Sequence, residues 1–302
     1  MNQINSQGVA YINNSFCPIE EAKISVLDWG LLRSDATYDV VHVWDGYFFR
    51  LNDHIERFYA SAEKLRLEIP YQPHELIIIL AECVKRSKFK NSYVEMSITR
   101  GIPEIGSRDP RRNKNTFFAF AIPFVWILNS NNWRYGLRAS ISSFKRIHFS
   151  SVDPHIKNYH WLDFTRGLLE AFEYGAETTI LSDMNNNITE GPGFNIFCVL
   201  EDVLCTPNTN ILEGITRKTV IEIATEIAVP VQIRNISTID FLTSKEIFIT
   251  STAGGIMPIC QVDNIVINHG KPGSITTSIN ELYWSKKSKG WHGTKISDIL
   301  KY

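Results

Sequence analysis

Apolar and polar positions alternate with period two through "TYDVVHVWDGYFFRL", and Asp45-Gly46 inside that stretch marks a two-residue turn between strands. The period then lengthens. In "NDHIERFYASAEKLRL", Ile55, Phe58, Ala62 and Leu65 recur at spacings of three and four, which predicts a helix with Asn52 as its N-cap. "PHELIIILAECVKRS" predicts a second helix. "SYVEMSITRG" and "NTFFAFAIPFVWIL" predict two strands joined by the polar, basic loop "IPEIGSRDPRRNK". Near the start, "GVAYINNSFCP" predicts a hairpin around Asn13-Asn14.

The polar, turn-rich "NSNNW" at 129–133 reads as a linker, which divides the chain into domains at 1–128 and 134–302. Beyond it come a strand near "LRASISSF" and a helix from Trp161 to Tyr174. Gly175 stops that helix in the left-handed position after its last turn. "TTILSD", a turn at "MNNN", "FNIFCVL" and "VLCTP" follow. Then come the helix "TRKTVIEIATEIA", the strand "PVQIRNIS", a short helix near "IDFLTS" and the strand "EIFITST". This order is α+β with many antiparallel strands, not a regular βαβ winding. No G-x-G-x-x-G and no Walker motif occurs, so a Rossmann or P-loop reading lacks support.

Composition narrows the class without naming an activity. The 302 residues are 44% hydrophobic and 21% charged, with a net charge of -1. That balance gives no field to attract nucleic acid or an anionic membrane. No apolar run approaches the ~18 residues of a membrane span, and the N-terminal stretch lacks the basic and apolar regions of a signal peptide. The five cysteines (Cys17, Cys83, Cys198, Cys205 and Cys260) form no C-x-x-C, which suits reduced thiols and a cytoplasmic protein.

Several polar residues stand where chemistry is the better explanation. Lys157 in "HIKNYHW" is hemmed in by aromatic and apolar residues. Partial burial and cationic neighbours would lower the pKa of such a lysine and make it a nucleophile. "EGITRKTV" puts Gly214, Ile215 and Thr216 at a helix start, where unpaired N–H groups seat a phosphate. "TSTAGG" offers Thr252 in a second hydroxyl-rich turn, and "HIERF" offers Arg57 on a helix. In "NITEGPGFNIF", Glu190 precedes glycines that let backbone approach a ligand, and a desolvated carboxylate there seeks a cation or a protonated ring nitrogen. A phosphate cup, an acid for a pyridinium and an imine-forming lysine together describe pyridoxal 5'-phosphate.

On these motifs the sequence resembles the class IV (fold-type IV) pyridoxal-phosphate aminotransferases, and within them the (R)-selective amine transaminases. They are "SDATYDVVHVWDGYFFRLNDHIERF", "SYVEMSITRG", "DPHIKNYHWLDFTRG", "ITEGPGFNIF", "LEGITRKTV" and "STAGGIMPI", and they span nearly the whole chain in the family's order. The resemblance implies a small N-terminal α/β domain, a larger C-terminal pseudo-barrel domain and the cofactor between them. It also implies a homodimer whose pockets borrow loops from the partner subunit. Lys157 falls on the Schiff-base lysine and proton shuttle, and Glu190 on the partner of the pyridine nitrogen. Arg57 falls on the phosphate arginine. Ile215, Thr216 and Thr252 fall on the phosphate cup, with Phe194 and Asn195 also on the cofactor side.

The same resemblance places Arg33, Tyr38, Val40, Tyr93, Glu95, Trp161 and Ala253 on the substrate side. Branched-chain enzymes tend to carry an arginine where Glu95 stands, and the R-x-H carboxylate trap of D-amino-acid aminotransferases is missing from "SRDPRRNK". Arg108 is the candidate for a movable arginine that pairs the carboxylate of a keto acid and swings away for an apolar group, with Arg111 and Arg112 as alternatives. The implied activity is transfer of an amino group from an (R)-amine or D-amino acid to a 2-keto acid such as pyruvate. A D-amino-acid or branched-chain aminotransferase, a lyase of the same fold and a non-catalytic scaffold are the competing expectations. A scaffold would have no use for Lys157.

Overall fold

The computed structural model describes residues 7–128 and 135–301. The chain forms two compact units. One gathers Met1–Val125 with Ile156–Tyr159 and Gly290–Tyr302; the other gathers Trp126–His155 with His160–Lys289. The linker expected at 129–133 lies outside the described residues. The returns at 156–159 and 290–302 depart from a simple division into halves. A passage of a few residues carries no periodic pattern by which sequence could assign it to one core or the other.

The first unit is a seven-stranded sheet in the order Gly293–Lys295, Tyr47–Phe49, Ala36–Trp44, Ser92–Ile102, Lys114–Pro123, Val9–Ile12, Ser15–Pro18. Every neighbouring pair is antiparallel. Both expected hairpin turns are present, with Asn13 and Asn14 at φ 52° and 60° and Asp45 and Gly46 at 50° and 79°. Such paired positive φ values match the twist of the flanking strands. Helices Leu51–Leu65 and Pro73–Ser87 lay Ile55, Phe58, Leu76 and Leu80 on the sheet residues Val41, Val43, Val94, Met96, Ile98 and Phe117. Burying each large side chain contributes ~1.5–3 kcal/mol, so this face orients the helices.

The first of these helices begins earlier than expected. Its N-cap is Arg50, not Asn52, because Arg50 adopts a left-handed φ of 55° and its side chain pairs with Asp53 at 2.6 Å. At the other end, Arg100 donates to the carbonyls of Leu65 and Arg66 at 2.6 and 2.9 Å while pairing with Asp35. A cation on the last carbonyls complements the negative end of the helix. The strand expected over 115–128 ends at Pro123, after which pairing stops.

The second unit holds a nine-stranded mixed sheet. Its main path runs Val231–Ile233, Val203–Thr206, Phe194–Leu200, Glu246–Ser251, Gly255–Val262, Leu137–Lys145, Thr178–Ser182. Three of the pairings are parallel, so the antiparallel expectation holds for the first sheet and only partly here. Helix Leu162–Glu173 lies where expected, and Gly175 at φ 72° ends its turn. Helix Ile215–Glu226 starts one residue before the expected stretch, with Gly214 as its cap. The expected strand "PVQIRNIS" forms a ladder over Val231–Ile233 and, beyond it, an isolated bridge between Ser237 and Asn187.

Strand Gly255–Val262 and helix Ser274–Ser288 were not legible in the sequence. The buried positions of that helix are Thr276, Ile279, Tyr283 and Lys287, and the two polar residues among them erase the apolar stripe. What anchors the helix is Glu246. Its carboxylate accepts from the Ile275 and Thr276 amides at 3.1 and 2.8 Å and from the Thr276 hydroxyl at 2.7 Å. Replacing Glu246 with Ala is therefore expected to cost ~1–3 kcal/mol, seen as a lower urea midpoint. An unchanged midpoint would mean that the cap carries no stability.

Candidate active site

Strand Ala36–Trp44 sends alternate side chains to opposite faces. Tyr38, Val40 and His42 share one face with their cross-strand partners Ser97, Glu95 and Tyr93. The 156–159 passage docks on the start of this strand. The Lys157 carbonyl accepts from the Thr37 hydroxyl at 2.7 Å and the Tyr38 amide at 3.1 Å. Its Nζ then stands 4.3 Å from the centre of the Tyr38 ring, which stacks on Tyr159 at 4.5 Å. The ring's negative face attracts the amine in its charged form.

On the same face, Glu95 Oε1 accepts from Tyr159 Oη at 2.9 Å and Ser97 Oγ at 3.1 Å, and Oε2 from Tyr93 Oη at 3.1 Å. Burial pushes the Glu95 pKa up, against the pull of these donors and the Lys157 charge, and the net shift is upward. Burial beside the Glu95 charge also raises both tyrosines, so Tyr93 and Tyr159 stay protonated as donors.

The opposite face of the strand carries Asp39, which has no exposed surface. Its carboxylate accepts from Arg57 Nε at 2.7 Å, Arg57 Nη2 at 2.9 Å, His54 Nδ1 at 2.7 Å and the Val40 amide at 2.7 Å. Desolvation acts to raise its pKa, but the Arg57 charge and the His54 and Arg57 hydrogen bonds outweigh it and hold the group well below the usual range. His54 moves down, chiefly through burial, so it stays neutral and donates from Nδ1.

The second unit builds its own cluster around Glu190, which is 5% exposed. Its Oε1 lies 3.2 Å from the Arg146 guanidinium, and Arg146 Nη1 reaches Asp163 Oδ2 at 2.6 Å. The guanidinium also lies 4.2 Å over the Phe164 ring. Glu190 Oε2 accepts from the Leu212 amide at 2.9 Å, and Asn195 Nδ2 donates to the Leu212 carbonyl at 2.8 Å. One residue is thus gripped on both sides, and the chain is aimed into helix Ile215–Glu226. A Cβ at Gly214 would stand 1.9 Å from Asn195 Oδ1, so a larger residue there would push Asn195 off the Leu212 carbonyl. Among the described residues, nothing accepts from the Ile215 and Thr216 amides, and free amides at the start of a helix are where an anion can bind.

A family model described as amino-transferase class IV matches residues 36–262. The chain belongs to the class IV aminotransferases. It is 34% identical over 291 residues to a putative branched-chain-amino-acid aminotransferase of Methanocaldococcus jannaschii, covering 95% of this chain and 99% of that one. It is 28% identical over 281 residues to a D-alanine aminotransferase of Listeria monocytogenes, covering 90% and 93%. Among solved structures it resembles the T.th. branched-chain amino acid aminotransferase with pyridoxamine 5'-phosphate, with a TM-score of 0.89 and 28% identity over 96% and 99% of the two chains. The two-domain α+β fold expected from the motifs is the fold of this aminotransferase.

Within the second unit of this aminotransferase, Phe194, Trp161 and Ala253 stand near one another: a Cβ on Gly193 would lie 3.5 Å from the Trp161 ring, and the Ser251 hydroxyl donates to the Gly193 carbonyl and accepts from the Ala253 amide. Phe194 packs so closely on Gly191 that a Cβ there would lie 2.1 Å from its ring. Thr252 and Ala253 form the turn after strand Glu246–Ser251, where the Ala253 carbonyl accepts from the Ile127 amide at 2.7 Å. Trp161 precedes helix Leu162–Glu173 and meets Phe164 edge-on. Arg33 is exposed and stacks 3.4 Å over the Trp29 ring. Arg108 is exposed with no ion-pair partner among the described residues, while Arg111 pairs with Asp109 and Arg112 with Glu104 and Asp109. Sequence reasoning missed Asp39, His54, Ser97, Arg146, Tyr159 and Asp163. Asp39 could have been flagged as an acid inside an apolar alternation. Arg146 and Asp163 give no local signal, since their partner lies far along the chain.

Two consequences are measurable. Replacing Arg146 with Met leaves two buried carboxylates without their cation and is expected to destabilise the fold by ~3–5 kcal/mol in denaturant titration. An effect below ~1 kcal/mol would contradict the pairing, since that is the range of exposed ion pairs. Acid should also unfold the protein early. The lowered His54 pKa costs stability as pH falls below about 6.5, where the unfolded histidine takes a proton that the folded one resists. The lowered Asp39 pKa adds stability that is present above about 4 and lost below it. Asp39→Asn should flatten the second of these slopes.

Proposed function

We propose that this aminotransferase uses pyridoxal 5'-phosphate to move an amino group from an (R)-amine or D-amino acid to a 2-keto acid such as pyruvate. The residues fit the cofactor by their chemistry. The first unit supplies an amine at Lys157 and a mostly buried, carboxylate-held guanidinium at Arg57. The second supplies a fixed carboxylate at Glu190, the open amides of Ile215 and Thr216 and the Thr216 hydroxyl. When bound, the cofactor supplies an aldehyde and an electron-accepting ring. Lys157 would hold it through Nζ and carry a proton to and from the substrate carbon. Glu190, paired with Arg146, would hold a proton on the ring nitrogen. Arg57, Ile215, Thr216 and Thr252 would bind the phosphate.

The observation that carries the donor class is Glu95 beside Lys157. Recognition of a substrate carboxylate on that wall needs a cation or uncommitted hydrogen-bond donors, yet the wall presents a carboxylate that takes up the hydroxyls of Tyr93, Ser97 and Tyr159. This favours a donor with no carboxylate at that position. The second reading is a branched-chain or D-amino-acid aminotransferase, favoured by what the Methanocaldococcus and Listeria relatives are called.

A half-reaction separates the two. The holoenzyme is mixed separately with (R)-1-phenylethylamine, its (S)-enantiomer, D-alanine and L-leucine, and loss of the aldehyde-form absorbance is followed. Fast conversion by the (R)-amine with little by (S) is expected, whereas a response to L-leucine, or only to D-alanine, with the (R)-amine silent would move the enzyme to the second reading. Lys157→Ala should abolish turnover with every donor, and full activity in that variant would sink both readings.

A further inference from the structure

Beyond the residues that would touch the cofactor, the buried Asp39 cluster has a geometry that pairing a charge does not require. Two Arg57 nitrogens, Nε and Nη2, meet separate Asp39 oxygens at 2.7 and 2.9 Å. A single contact would neutralise the charge; two parallel contacts fix the plane of the guanidinium. His54 stands three residues before Arg57 on helix Leu51–Leu65 and bonds the same carboxylate at 2.7 Å, while the Val40 amide holds it from the strand. Asp39 therefore has little freedom to turn. The Arg57 side chain keeps 14% exposure, so the cluster locks the group without sealing it. The adjacent Thr37 and Tyr38 hold the carbonyl of Lys157. One strand tripeptide thus fixes both the lysine and the arginine.

We propose that Asp39, backed by His54, is a positioning residue that sets the Arg57 guanidinium for the phosphate of the cofactor. This rests on the pyridoxal-phosphate reading above. It differs from a purely neutralising role in the sign of its effect. If Asp39 only cancels the Arg57 charge, its removal leaves a bare cation and tightens anion binding. If it orients the fork, removal loosens the grip on phosphate while leaving the rest of the cofactor's contacts alone.

The test uses the full chain stripped of cofactor and retitrated by fluorescence with pyridoxal 5'-phosphate and, separately, with pyridoxal, which lacks the phosphate. Asp39→Asn is expected to weaken pyridoxal 5'-phosphate about tenfold or more and to leave pyridoxal within about twofold, so that the ratio of the two Kd values collapses. In an Arg57→Met background the same substitution should change neither. His54→Leu, a milder change should Asp39→Asn fail to fold, is expected to move the ratio in the same direction. His54→Asn, which restores a donor near the Nδ1 position, should recover it. An unchanged or tightened affinity for pyridoxal 5'-phosphate in Asp39→Asn would overturn the proposal, as would an equal loss for both ligands. Failure of the unsubstituted chain to bind pyridoxal 5'-phosphate at all would instead overturn the cofactor reading on which it rests.

Discussion

A charge removed from water must meet a counter-charge and fill its remaining hydrogen-bonding positions, or the fold bears the desolvation cost. Both units are organised by that constraint. In the first, the carboxylate of Asp39 is surrounded by Arg57, His54 and the Val40 amide. In the second, Arg146 is held by Glu190 and Asp163. Each cluster joins elements that the hydrophobic cores alone would leave free to slide. Asp39 ties a central strand to the helix that covers it, and Arg146 ties the end of strand Leu137–Lys145 to helix Leu162–Glu173 and to Glu190. Apolar burial supplies stability without direction, whereas the buried ions fix the register of the side chains around them.

The two-residue period of a strand divides the labour in the first unit. Thr37 and Asp39 turn to the helix side and act on the backbone of Lys157 and on Arg57. Tyr38 and Val40 turn to the other face, where Tyr38 lies under the Lys157 amine and Val40 faces Glu95 across the sheet. A slip of one residue in this strand would exchange the two sets and destroy both. The eleven-residue strand Ser92–Ile102 beside it, capped by Arg100 on the helix end, resists such a slip. The face that carries Tyr38, Tyr93 and Glu95 is therefore held in one register, and its polarity depends on which side chain stands at residue 95.

Much of this could be read along the chain because the signals are local. Hairpin turns at Asn13-Asn14 and Asp45-Gly46 need only residues that tolerate positive φ, and the helix Pro73–Ser87 declares itself through an apolar stripe and a proline at its first position. Lys157, Glu190, Arg57 and the Gly214-Ile215-Thr216 helix start were visible because each sits in a short motif whose residue types suit the chemistry. The helix Ser274–Ser288 was not visible, since Thr276 and Lys287 occupy buried positions that a hydrophobicity pattern assigns to solvent.

By itself, the sequence determined the α+β class, the types of most elements and the candidates for the reactive groups, because these follow from side-chain chemistry and short-range periodicity. Tertiary structure decided which partners those groups have. Arg146 meets Glu190 forty-four positions away, and Tyr159 meets Glu95 sixty-four away. It also decided that residues 156–159 belong with the first unit, although most of the sequence around them belongs with the second. Pairings over such separations leave no mark on the local pattern, since they arise only when distant strands and helices are packed and their buried charges must be satisfied together.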